Sequence, residues 1–151
     1  MEGLVTDFRE RYDIGATFDH ADVPAKIEPD IALCVYRVTQ EALHNAGGHA
    51  HANKVQVKLI VRDQRLHLTV TDNGCGFDTK TAKRGLGLRS MEERVKLAGG
   101  KFDLESGSNG TTIRAEVPLP PPGGGAQGRQ TLVTITLAGF AKGVDKPTEK
   151  L

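Results

Sequence analysis

The spacing of apolar residues changes period several times along the chain, and each change marks an element. Ile31, Cys34, Val35, Val38 and Ala42 recur three and four apart, which lays them on one stripe of a helix. Pro29 and Asp30 suit its start, and the pattern runs to about Ala52, with Asn53 as the stop. The period then falls to two. Val55, Val57, Leu59 and Val61 alternate in KVQVKLIV, as do Leu66, Leu68 and Val70 in LHLTVTD. Joined by the tight connection DQR, residues 54–72 read as a hairpin. RSMEERVKLAGG is helical again, about three turns closed by glycine. KFDLES is a short strand, SNG turns, and TTIRAEVPL is a final strand with Ile113, Ala115, Val117 and Leu119 on one face. Residues 1–13 are polar and read as the end of a helix or a connector, and 14–21 carry a short strand signal. Residues 73–87 are irregular and rich in Gly, Lys and Thr.

One residue breaks the logic of its strand. Asp72 falls in phase with Leu66, Leu68 and Val70, on the apolar side. A carboxylate there costs free energy unless something pairs with it. The Asn73-Gly74 that follows is a strong turn signal, which accounts for the turn and leaves the acid unexplained.

Composition narrows the classes. The chain has 151 residues, enough for one domain with length to spare. With 20 basic and 19 acidic residues, a net charge of +1 gives no reason to expect nucleic acid or an anionic membrane as a partner. Cys34 and Cys75 show no CxxC or Cys/His metal spacing, which points to a reducing compartment and no structural zinc. No apolar run approaches about 18 residues and no signal-peptide core opens the chain, so the expected location is the cytoplasm, with or without a membrane-anchored parent protein. After Leu119 the Pro/Gly linker PPPGGGAQG and the strand-like TLVTITL form a tail, 121–151, expected to be disordered or loosely attached.

Four stretches carry candidate chemistry. Glu41 and Asn45 lie one turn apart on one helix face, a neutral oxygen ligand and a carboxylate suited to a Mg²⁺ site that keeps its waters. Taken alone, the pair is more often the polar flank of an amphipathic helix. His44, His49 and His51 do not converge on one face, so no metal cluster is expected there, and His49 reads as a helix-end residue with a local hydrogen bond. DNGCGF and RGLGLRSM are two glycine segments, the second leading into a helix whose N–H groups could close on phosphate. Neither fits the P-loop or the dinucleotide-binding pattern. In NGTTIRAEV, Thr111 is in phase with Ile113 and Ala115 and therefore points inward, as Asp72 does. Each signal is weak; their fixed order is not.

That order resembles the ATP-binding catalytic domain of bacterial sensor histidine kinases, in the wider group of the gyrase, Hsp90 and MutL ATPases. VYRVTQEALHNAGGHAHANKVQV is similar to that family's N box, VTDNGCGFD to its G1 box, RGLGLRSMEERVKLAGG to G2, and GTTIRAEVPLP to the final Gly-Thr strand. QEALxNAxxHA together with GLGLxSMxERVxxxGG resembles the branch whose response regulators carry a LuxR-like DNA-binding output. The likeness covers residues 14–120, with 1–13 as the remnant of a connector. It implies an α/β two-layer sandwich: a mixed, mostly antiparallel sheet with helices on one face, and ATP between the long helix and a 73–87 lid. It also implies roles. Asp72 would accept from the adenine amino group, and Gly74 and Gly76 would let the backbone approach the base. Asn45 would hold Mg²⁺, Glu41 would be the general base or water-positioning carboxylate, and His49 would contact ATP. Gly85 and Gly87, with Leu88, would flank the triphosphate, and Thr111 would touch the base end or the phosphate side.

The implied activity is donation of the ATP γ-phosphoryl group to a histidine on a separate dimerisation domain, and from there to an aspartate of a response regulator. Two departures stand out. The family often has Lys or Arg before the N-box histidine; here Gly48 takes that place, and two adjacent glycines weaken the helix end by about 1 kcal/mol each. Lys80, Lys83 and Arg84 are the expected substitutes for the lost charge. The phospho-accepting histidine is absent, since His20 is followed by Ala21 near a strand end, so the chain is not self-sufficient. Two rival readings share the ATP site: a serine kinase of the anti-sigma-factor type, which the SMEERVKLAGG helix disfavours, and a non-catalytic nucleotide-binding interaction module.

Overall fold

The computed structural model describes residues 1–78 and 85–121. In chain order the elements are α1 (Glu2–Tyr12), β1 (Gly15–Ala21), α2 (Pro29–Gly48), β2 (Lys54–Arg62), β3 (Arg65–Asp72), α3 (Leu86–Leu97), β4 (Lys101–Gly107) and β5 (Gly110–Pro118). The strands form one sheet in the order β1-β2-β3-β5-β4, with β1 parallel to β2 and the other pairs antiparallel. This is the mixed, mostly antiparallel α/β sandwich expected from the sequence.

The alternation in the strands decides which face is dry. Val55, Val57 and Leu59 of β2, Leu66, Leu68 and Val70 of β3, and Ile113, Ala115 and Val117 of β5 are all buried on one side. Val38, Ala42 and Leu43 of α2 and Met91 and Val95 of α3 cover them. Burying each such aliphatic side chain contributes roughly 1.5–3 kcal/mol. The polar face is laced by charge pairs, among them Arg65 with Glu116 at 2.9 Å and Arg114 with Asp103 at 3.0 Å. Within residues 1–13, α1 adds Val5 and Phe8 to the core.

Three boundaries differ from the sequence expectation. The turn after β2 is two residues, Asp63 and Gln64, with φ of 50° and 56°, the mirror-image turn whose twist suits a hairpin. α2 ends at Gly48 rather than near Ala52. Gly47 and Gly48 favour a stop, and the next residues are engaged elsewhere: Ala50 C=O accepts the Cys75 N–H at 2.8 Å, and Asn53 C=O accepts the Gly15 N–H at 3.1 Å. α3 starts at Leu86, so Gly87 and Leu88 belong to its first turn instead of a preceding loop. No capping Ser, Thr, Asp or Asn marks that start, and the N-cap is Gly85. Among the described residues no helix is long and apolar enough to cross a membrane. The expected disorder of the tail concerns, from residue 122 on, a segment outside the described residues.

Candidate functional site

A cleft of about 490 Å³ opens between the second half of α2, the end of β3 and the first turn of α3. Asp72, 9% exposed, faces into it from the last position of β3. Its Oδ1 accepts the Gly74 N–H at 2.8 Å and the Thr111 N–H at 3.3 Å. Two backbone donors offset part of the cost of burying the carboxylate. Among the described residues both bonds fall on Oδ1, and none falls on Oδ2.

The loop after β3 is fastened on two sides. Asn73 Oδ1 accepts the N–H groups of Asn53 and Lys54 at 3.1 and 3.0 Å, and its amide donates to Asn53 Oδ1 at 2.8 Å. Gly74 is packed so tightly that a Cβ would strike the Ala50 carbonyl. On the other side, Ser106 Oγ accepts the Phe77 N–H at 2.9 Å and shares a 2.8 Å hydrogen bond with Thr111 Oγ1. Gly76, with φ of 56°, lies against the Gly107 carbonyl, where a side chain would collide. Asp72 thus sits at the junction of the α2–β2 connection and the β4–β5 hairpin.

The other end of the cleft is built from helices. Glu41 and Asn45, half-buried, line it one turn apart on α2. Gly87 faces Glu41 so closely that a Cβ would meet Oε1. Gly85, Leu86, Gly87 and Leu88 all line the cleft, and among the described residues no side-chain cap bond is made at the α3 N-terminus, whose N-cap is Gly85. Uncapped N–H groups and the positive end of the helix dipole together favour an anion. His44 and His49 line the cleft as well, their rings 6.3 Å apart and nearly perpendicular at 86°.

The structure therefore brings Glu41, Asn45, His49, Asp72, Gly76, Gly85, Gly87, Leu88 and Thr111 to one cleft. Gly74 supports the loop without lining the cleft, and Lys83 and Arg84 lie outside the described residues. Sequence reasoning weighed His44 only as a metal ligand and gave no role to Ala50, Phe77, Leu86 or the bridging Ser106. His44 is three residues after Glu41, a same-face spacing that was available to find it. Phe77 and Ser106 meet through a loop-to-hairpin contact that no local pattern encodes.

A model of the histidine kinase-, DNA gyrase B- and HSP90-like ATPases matches residues 31–121. Over 122 residues the chain is 37% identical to the sensor histidine kinase MctS of Rhizobium johnstonii, which covers 78% of this chain and 26% of MctS. It is 34% identical over 132 residues to the sensor histidine kinase LiaS of Bacillus subtilis, 86% of this chain and 36% of LiaS. The chain thus spans between about a quarter and somewhat over a third of these relatives. The histidine kinase domain of the Erythrobacter litoralis blue-light activated kinase superposes with a TM-score of 0.66 at 24% identity, over 76% of this chain and 61% of that one, a likeness of fold.

Proposed function

The chain belongs to the histidine kinase-, DNA gyrase B- and HSP90-like ATPase family, and from that premise we propose that it is the ATP-binding catalytic domain of a two-component sensor histidine kinase. It would donate the γ-phosphoryl group to a histidine on a separate dimerisation domain, which passes it to a response regulator. The carrying observation is Asp72, which lines the cleft: one carboxylate oxygen is engaged by two backbone donors and, among the described residues, the other by none. That arrangement suits an exocyclic amino group on a flat aromatic ring, as adenine presents. Thr111, bonded to Ser106 and next to Asp72, belongs to this base end.

In this reading the triphosphate lies toward α3, against the N–H groups of Gly85, Leu86 and Gly87. Asn45 and Glu41, two oxygen donors facing the same space, fit a hydrated Mg²⁺, which would supply charge neutralisation to the phosphates. Glu41 would orient or accept the proton of the incoming group. Phosphoryl transfer asks little covalent work of the protein, so positioning and electrostatics carry the catalysis. QEALxNAxxHA and GLGLxSMxERVxxxGG support a response regulator with a LuxR-like output, and the activity would belong to the cytoplasm.

Calorimetric titration with Mg²⁺ and ATP tests this. Asp72→Asn replaces the acceptor by an amide, and affinity is expected to fall at least about tenfold, the value of a hydrogen bond to a charged group. Glu41→Gln is expected to keep ATP binding and to lose transfer in trans to an added dimerisation domain. No ATP binding by the wild-type chain would sink the proposal.

A further inference from the structure

α1 reaches the wall of the cleft through one aromatic side chain. Gly47 lies in the last turn of α2, and a Cβ there would stand 2.7–2.8 Å from three carbons of the Tyr12 ring. The ring therefore occupies the space that any other residue would fill. It is steadied from behind by Phe8, centroid to centroid 5.1 Å, and Phe8 is itself buried in the core. From this seat the Tyr12 hydroxyl comes within 3.4 Å of His44 Nδ1. His44 lines the cleft beside Asn45 and faces His49 edge-on. A glycine is unfavourable in a helix, so its use at 47 needs a reason, and the packing of Tyr12 is one.

We propose that Tyr12 is a positioning residue for the nucleotide, acting through His44, so that the docking of α1 on α2 sets the readiness of the cleft. The inference rests on the functional reading above. In this inference the phenol is the donor: Nδ1 then accepts, the imidazole proton sits on Nε2, and the far edge of the ring is a donor. A donor next to Asn45 suits a phosphate oxygen. It also supplies a contact on the helix where Gly48 carries no side chain. When α1 lifts away, the ring loses both its tautomer preference and its support, and the donor is no longer aimed.

The test uses the full chain, with ATP affinity by calorimetry and the His44 ring nitrogens by NMR. Tyr12→Phe keeps the ring and removes the hydroxyl. Its melting temperature is expected to stay close to wild type, ATP affinity to fall about threefold, and the His44 nitrogen signals to move toward a tautomer mixture. Gly47→Ala evicts the ring and is expected to weaken ATP binding about tenfold, although alanine is the better helix former. Adding Tyr12→Ala to Gly47→Ala is expected to cost nothing further, because both act on one contact. A wild-type chain that binds ATP, with Tyr12→Phe and Gly47→Ala binding equally well and His44 signals unmoved, overturns this inference alone. A wild-type chain that binds no nucleotide overturns the functional reading and this inference with it.

Discussion

The two ends of the cleft are made by different means. At the Asp72 end, sheet and loops are knitted together: Asn73 ties the loop to the α2–β2 connection, and Ser106 ties it to the β4–β5 hairpin. At the Gly87 end, the side of one helix meets the uncapped first turn of another, and Leu86 stands 87% exposed. The first end is a finished surface whose polar atoms are mostly satisfied and whose Asp72 carboxylate has a fixed direction. The second sets the first-turn N–H groups of α3 beside the Glu41 carboxylate, the end that the proposed reading gives to the phosphates and Mg²⁺. In the proposed reading, recognition of the base and handling of the phosphates fall to these two different ends, and substitutions are expected to divide accordingly.

The largest effect is expected at the knitted end. Gly76→Ala places a Cβ at positive φ against the Gly107 carbonyl, a backbone atom that cannot step aside. A loss of about 2–4 kcal/mol follows, read as a lower melting temperature together with lost ATP binding. An unchanged melting temperature would show that this end is not rigid, and the contrast would collapse. Gly87→Ala sharpens the contrast from the other side. Its Cβ meets only the tip of Glu41, which can swing, and alanine favours the helix by up to about 1 kcal/mol. Stability should hold or rise, while phosphoryl transfer drops about tenfold with Glu41 displaced. A parallel fall in stability and transfer would count against the division.

Ser106→Ala should be milder. It strips the Phe77 N–H and the Thr111 hydroxyl of a partner, at a cost of about 1–2 kcal/mol, and weakens ATP affinity more than the transfer rate at saturation. The smallest effect is chemical. Burial pushes the Cys34 thiol up, with the charge of Arg94 opposing, whereas Cys75 is exposed in the loop beside Asp72. At pH 8 the raised thiol holds less thiolate, so iodoacetamide should label Cys75 first, and bound ATP should slow that labelling. Mass spectrometry of the labelled chain reads both rates, and ATP-insensitive labelling of Cys75 would argue against nucleotide near the loop.

The cleft was legible in the sequence wherever a local period sets side-chain direction. Asp72 in phase with Val70, Thr111 in phase with Ile113, and Glu41 one turn from Asn45 are consequences of strand and helix geometry, and all four line the cleft. Gly74 and Gly76 look alike in sequence but serve different contacts, one against Ala50 and one against Gly107. That distinction depends on which distant segment arrives at each.

What the sequence by itself determined is the set of elements, the dry face of the sheet and the ordered motifs, because these follow from periodicities of two and 3.6 residues and from turn chemistry. Tertiary structure alone decided the Ser106–Thr111–Phe77 latch and the seating of Tyr12 on Gly47. Each depends on contacts between segments far apart in the chain, where packing and the demand that buried polar groups find partners outweigh local propensity.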